Sequence, residues 1–123
     1  MTQETKTKLL YGKLSFIING ILFKVHNELG RFAREKQYGD LFEIKLKEAN
    51  LSYLRELRVG DSGNMPDFII EDQIIIELKA KPFVPTEDYN QVQRYLQSTN
   101  LDLALLVNFR SKFLQIKRIL RRK

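Results

Sequence analysis

The three isoleucines Ile74-Ile75-Ile76 run straight into Glu77-Leu78-Lys79, and this junction constrains the fold more than any other feature of the chain. A run of β-branched residues marks a central strand covered on both faces. Charges in such a strand are costly to desolvate unless they are paired or hold a metal. Side chains alternate along a strand, so Glu77 and Lys79 share one face with Ile75. A carboxylate and an ammonium on the same face of a buried strand point to chemistry rather than to packing.

The preceding residues extend the pattern. Phe68–Ile70 and Ile74–Ile76 read as an antiparallel hairpin around Glu71-Asp72-Gln73, pairing Ile70 with Ile74, Ile69 with Ile75 and Phe68 with Ile76. The next pair sets Asp67 opposite Glu77, with Cβ atoms roughly 5 Å apart. A one-residue slip would undo that arrangement, and the loop has no glycine to fix its turn type. Two carboxylates this close repel each other unless a cation lies between them, and hard Mg²⁺ or Mn²⁺ takes oxygen ligands. Asp67 and Glu77 are therefore a candidate metal site with Lys79 beside it.

Pro66-Asp67 followed by Glu77-Leu78-Lys79 resembles the signature of the PD-(D/E)XK nuclease superfamily, which includes many restriction enzymes and Holliday-junction resolvases. More closely, the chain resembles the small bacterial proteins of the GxxExxY family within it. The pieces are Val25-His26-Asn27-Glu28-Leu29-Gly30, Glu35-Lys36-Gln37-Tyr38, Asp67 to Lys79, Gln91-Val92-Gln93-Arg94-Tyr95-Leu96 and Leu105-Leu106-Val107-Asn108-Phe109. Together they span about Leu14 to Leu120. The first Gly of the family pattern falls on Phe32, although Gly30 remains, so the turn before the second helix departs from the family. An acid-and-lysine string alone is a weak pattern; five pieces in order are far more specific.

The resemblance implies an α/β fold, a restriction-endonuclease-like αβββαβ core with a mixed central sheet flanked by helices. It also implies metal-dependent hydrolysis of phosphodiester bonds in nucleic acid, with DNA favoured over RNA. It assigns Asp67 and Glu77 to Mg²⁺ (or Mn²⁺) and matches Glu35 to an acid that acts as a further metal or water-mediated ligand. Lys79 would orient or help deprotonate the attacking water, or stabilise charge on the phosphate. Glu-Leu-Lys followed by Gln91 and Tyr95 resembles exonuclease-type members, in which the Gln and Tyr line the site. Lys81 has the strand parity of Lys79 and reads as either a substitute for it or a phosphate contact. Taken alone, each residue also has a plainer reading: Glu35 complementing a helix dipole, Lys79 discouraging edge pairing, and Tyr95 packing in the core.

Tyr38 reads as a core residue with a polar tip. His26, the single histidine, reads as a locally bonded packing residue, since no second histidine exists for a zinc site. No nucleophile elbow or phosphate-binding glycine loop is present.

The chain has 123 residues, which reads as one domain over 1–123, with 1–10 an N-terminal tail and 121–123 a basic C-terminal tail. The absence of cysteine excludes a disulfide scaffold, a Cys-based zinc site and a cysteine nucleophile. No apolar run approaches the ~20 residues of a membrane helix, and a soluble cytoplasmic protein is expected. The net charge of +6 favours polyanions such as nucleic acid, with Lys117, Arg118, Arg121, Arg122 and Lys123 clustered near the end. A homodimer is left open, since cutting two strands commonly uses two protomers.

Along the chain, Leu14, Ile17, Ile18, Ile21, Leu22, Val25 and Leu29 make one helical stripe, capped by Gly30. A second helix is predicted over about Arg34–Ala49, with Tyr38, Leu41, Phe42 and Leu46 inward. Leu51–Val59 is read as the first strand and Gly60–Asn64 as a loop. After the hairpin, Thr86 is read as the N-cap of a helix to about Ser98. Leu103–Phe109 is read as another strand, and Phe113–Leu120 as a last strand in preference to a short helix. Two rivals to a nuclease remain on the same fold: a non-catalytic nucleic-acid-binding domain, and a protein-interaction module whose acids and lysine form an ion-pair network.

Overall fold

The computed structural model describes residues 3–56 and 65–123. In chain order the elements are α1 (Gln3–Leu29), α2 (Glu35–Glu48), β1 (Tyr53–Arg55), β2 (Phe68–Ile70), β3 (Ile74–Lys79), α3 (Thr86–Thr99), β4 (Leu103–Asn108) and β5 (Gln115–Leu120). The strands form one five-stranded sheet in the order β1-β2-β3-β4-β5. Among the described residues only β3 and β4 pair in parallel, with α3 as the crossover between them; the other neighbours run antiparallel. This α/β architecture is consistent with the restriction-endonuclease-like fold.

The sheet is covered on both sides, as its apolar central strands require. Ile74, Ile76 and Leu78 face Ile18, Leu22, Val25 and Phe42 of α1 and α2. Ile75, with Ile69, Ala104 and Leu106, faces Val92, Tyr95 and Leu96 of α3. Odd-numbered positions of β3 therefore point to the α3 side, and this parity places Glu77 and Lys79 there.

The hairpin register is the expected one, with Ile70 against Ile74, Ile69 against Ile75 and Phe68 against Ile76. Its turn works without glycine because Glu71 and Asp72 both adopt positive φ, 53° and 54°. The Gln73 N–H donates to the Ile70 carbonyl at 2.9 Å, giving the signature of a type I′ turn. Gly30 ends α1 with φ of 75°, and its N–H donates to the His26 carbonyl at 2.8 Å, as a left-handed cap does.

Several boundaries move. The helix α1 begins at Gln3 and takes in most of the stretch expected as a tail, whose Gln, Glu, Lys and Leu residues are good helix formers. Thr86 is not the N-cap: Pro85 occupies that position with φ −72° and ψ 162°, and its carbonyl accepts the Asp88 N–H at 3.0 Å. The ring fixes φ at a value suited to the flank, so the helix starts at Thr86, one residue earlier than the hydroxyl suggests. The described part of the first strand is limited to Tyr53–Arg55, while the expected continuation at 57–59 and the loop at 60–64 lie outside the described residues. Arg121 in the expected C-terminal tail is tied down, its guanidinium 2.9 Å from Asp102.

Candidate active site

The acids and the lysine meet at the open end of the hairpin. The register carries Asp67 to a position beside Glu77, and two backbone bonds lock the pair. The Asp67 N–H donates to Glu77 Oε1 at 2.9 Å, and the Leu78 N–H donates to Asp67 Oδ2 at 2.8 Å. Glu77 is fully buried, a burial that an ionised carboxylate tolerates only with such partners. Its Oε2 lies 3.6 Å from Lys79 Nζ.

Lys79 is also ringed from the helix that crosses over β3. Its Nζ is 3.5 Å from Gln91 Oε1 and 3.8 Å from Asp88 Oδ1, both on α3. Lys81 Nζ stands 2.6 Å from Asp88 Oδ2; the distance is that of an ion pair, but the approach is too oblique for a hydrogen bond. Asp88 is buried and was not singled out by sequence reasoning, because an acid in the first turn of a helix ordinarily reads as a macrodipole partner. Its spacing of three from Gln91 was the available signal, since it puts both on one helix face.

Glu35 reaches the site from the other side. With Arg55, Glu56, Asp67, Leu78 and Lys79 it lines a cleft of about 410 Å³. The start of α2 is set by the Arg34 N–H donating to Gln37 Oε1 at 2.9 Å. Tyr38, one turn on, is fully buried and stacks on Phe109 with ring centroids 4.1 Å apart. Its hydroxyl donates to the Gly30 carbonyl and accepts the Ala33 N–H, so its polar tip secures the α1–α2 turn. Tyr95 is buried in the cluster of Ile75, Val92 and Leu106, on the same side of the sheet as Glu77 and Lys79. His26 is a buried packing residue, but its bonds are not local: its Nε2 lies 3.1 Å from the Phe109 carbonyl and 3.0 Å from that of Ser111, both far along the chain.

The far wall of the cleft is a charge network centred on Arg55. Its Nη1 lies 2.9 Å from both Asp40 and Glu43, and the guanidinium sits over the Phe68 ring at 5.3 Å. The Tyr53 hydroxyl, and after it Arg55, hold the Glu43 carboxyl below its ordinary range against the opposing effect of burial. Hydrogen bonds from Lys36 and then Arg55 do the same for Asp40. Burial, followed by the Glu43 bond, pushes the Tyr53 phenol up.

The donor chemistry suits a hard divalent cation, since the gathered acids offer only oxygen. The match is a two-carboxylate one. Among the described residues, no three Asp, Glu, His or Cys side chains stand close enough together to hold a metal ion. Glu35 shares the cleft without completing a first coordination sphere.

A mixed sheet with two cross-strand acids and a lysine at the end of its central hairpin defines an α/β domain of the nuclease type. The family comparison agrees: residues 12–119 match the model of the PD-(D/E)XK nuclease superfamily, and the chain belongs to that superfamily. Its members are phosphodiester hydrolases that typically use Mg²⁺. No curated protein and no solved structure matches the chain. Among the described residues, no helix is long and apolar enough to cross a membrane.

Proposed function

We propose that this chain is a cytoplasmic, metal-dependent nuclease of the GxxExxY type that hydrolyses phosphodiester bonds, with DNA as its substrate. The observation that carries this reading is the cross-strand lock of Asp67 and Glu77 with Lys79 alongside. Three charges gather at the end of the central hairpin, the two carboxylates held by backbone bonds that fix their directions and the ammonium beside Glu77. Structural ion pairs rarely need such placement, whereas positioned catalysis does.

In this reading Asp67 and Glu77 hold the divalent cation, and Glu35 supports it through water across the cleft. The cation supplies Lewis-acid polarisation of the phosphate and a more acidic water. Lys79 presents its ammonium where charge builds on the phosphate oxygens and helps to orient the attacking water. Gln91 keeps Lys79 directed into the site, while Asp88 and Lys81 set the charge balance next to it. Tyr95, one turn from Gln91 on α3, is a secondary substrate contact in this reading. A homodimer would present a second site to the opposite strand.

The test is incubation of the purified protein with labelled linear, single-stranded and branched DNA and with RNA, in Mg²⁺, in Mn²⁺ and in EDTA. Cutting that needs metal and disappears in Lys79→Ala supports the nuclease and reveals its substrate. One observation favours a second reading, a non-catalytic nucleic-acid-binding domain: no three acids gather at ligating distance among the described residues. That reading expects salt-sensitive binding with no cutting under any metal. Neither binding nor cutting would leave the protein-interaction module.

A further inference from the structure

Three phenylalanines project into solvent from the three loops that surround the C-terminal ends of β3 and β4. Phe32 lies between α1 and α2, Phe83 between β3 and α3, and Phe113 between β4 and β5. Their exposures are 75%, 72% and 78%, unusual for rings of this size.

These loops are knitted together by hydrogen bonds. Arg31 Nε donates to the Arg110 carbonyl at 2.8 Å, joining the first loop to the third. Arg110 Nη2 donates to the Ala80 carbonyl at 3.3 Å. Asn108 Nδ2 donates to the Lys81 carbonyl at 2.8 Å and its Oδ1 accepts the Lys81 N–H at 3.2 Å, joining the third loop to the second. The Phe109 N–H donates to the Lys79 carbonyl at 3.0 Å, so this rim continues directly from the strand that carries Glu77 and Lys79.

Cations accompany the rings. The Arg31 guanidinium is 4.9 Å from the Phe32 centroid and that of Arg110 is 5.8 Å away, while Lys112 Nζ is 5.7 Å from the Phe113 centroid. A protein partner would be matched by a rim with few charges at its centre. Ring faces interleaved with cations match a nucleic-acid strand, which offers flat bases and phosphates in alternation. Bases within an intact duplex do not expose their faces, so the rings can be used only by unpaired or frayed nucleotides.

We propose that Phe32, Phe83 and Phe113 form a stacking rim for unpaired bases, so that the substrate is a strand that is single or locally opened beside the scissile phosphate. The position of the scissile phosphate rests on the nuclease reading; the stacking itself does not.

Binding is measured by fluorescence anisotropy in EDTA, where metal-dependent cutting cannot interfere. The probes are a single-stranded oligonucleotide, the same strand made abasic, and a blunt duplex of equal length. Wild type is compared with Phe32→Leu, Phe83→Leu, Phe113→Leu and the triple variant. Leucine at these exposed positions keeps charge and apolar character, and circular dichroism verifies folding. The expected result is tighter binding of the intact than of the abasic strand by about fivefold or more. That margin should disappear in the triple variant, with duplex affinity and the salt dependence unchanged because no cation is removed. Equal affinity for intact and abasic strands would overturn the proposal, as would equal losses on strand and duplex or no binding at all. A parallel cleavage assay in Mg²⁺ separates the two claims. Cutting with no stacking margin leaves the nuclease standing without the rim, and a stacking margin with no cutting does the reverse.

Discussion

Glu77 is buried completely, with Oε1 held by the Asp67 N–H and Oε2 turned toward Lys79. Glu77→Gln keeps an oxygen to accept the backbone bond, so the fold survives while the charge needed to hold a cation is lost. Wild type should therefore melt at a higher temperature as Mg²⁺ is added, in proportion to RT ln(1 + [L]/Kd), and Glu77→Gln should not respond; thermal melts across a Mg²⁺ series check this. Lys79→Ala removes the ammonium directed at the phosphate, and cleavage should fall by about 10²–10³-fold, read from initial rates. The Arg55 network carries a pH signature of its own. The Glu43 carboxyl is depressed in the folded state, first by the Tyr53 hydroxyl. Its contribution is therefore present above the ordinary carboxylate range and is lost as pH falls through the lowered value. Tyr53→Phe should cost about 1 kcal/mol near neutral pH, and denaturant melts should show the deficit shrinking on acidification.

The hairpin of β2 and β3 delivers the site, and its turn holds Asp72 at φ 54°, where glycine is favoured at the second central position of a type I′ turn. Asp72→Gly should raise stability by up to about 1 kcal/mol, measurable by urea denaturation without change in cleavage. The hairpin was also the most legible element. Its isoleucines marked both strands as buried, and pairing centred on Asp72, the register found, puts Asp67 beside Glu77. The helical stripe ending at Gly30 and the inward Tyr38, Phe42 and Leu46 were readable for the same reason, a period that matches a buried face. Local chemistry misled where the backbone decided instead. The Thr86 hydroxyl suggested a cap that Pro85 supplies through its fixed φ, and the polar start of the chain concealed the first turns of α1. Asp88 shares a helix face with Gln91 by spacing, but that this face looks onto Lys79 depends on how α3 crosses over β3, a tertiary fact. Tyr95 was expected at the site on resemblance, and its burial in the α3-side cluster could not be read from its spacing to Gln91. Glu35 reached the cleft as expected, while its distance from the other acids could be learned only from how α2 packs on the sheet.

At the scale of the whole molecule, the net charge of +6 and the basic loops around the sheet's C-terminal end predict binding dominated by phosphate contacts. Log affinity should fall linearly with log salt, with a slope of roughly −0.9 per phosphate contacted on duplex DNA, as a titration at several salt concentrations would show. The fold supplies the rest of the arrangement: a rigid sheet fixes the acids and the lysine, α2 and α3 close the site from opposite faces, and three loops frame the approach. The most direct test of the central claim is cleavage of labelled DNA in Mg²⁺ by wild type and by folded Glu77→Gln, with EDTA as the blank. The account predicts product from wild type alone, abolished by EDTA. Product that persists undiminished in Glu77→Gln, or no product from wild type on any DNA or RNA substrate, would contradict it.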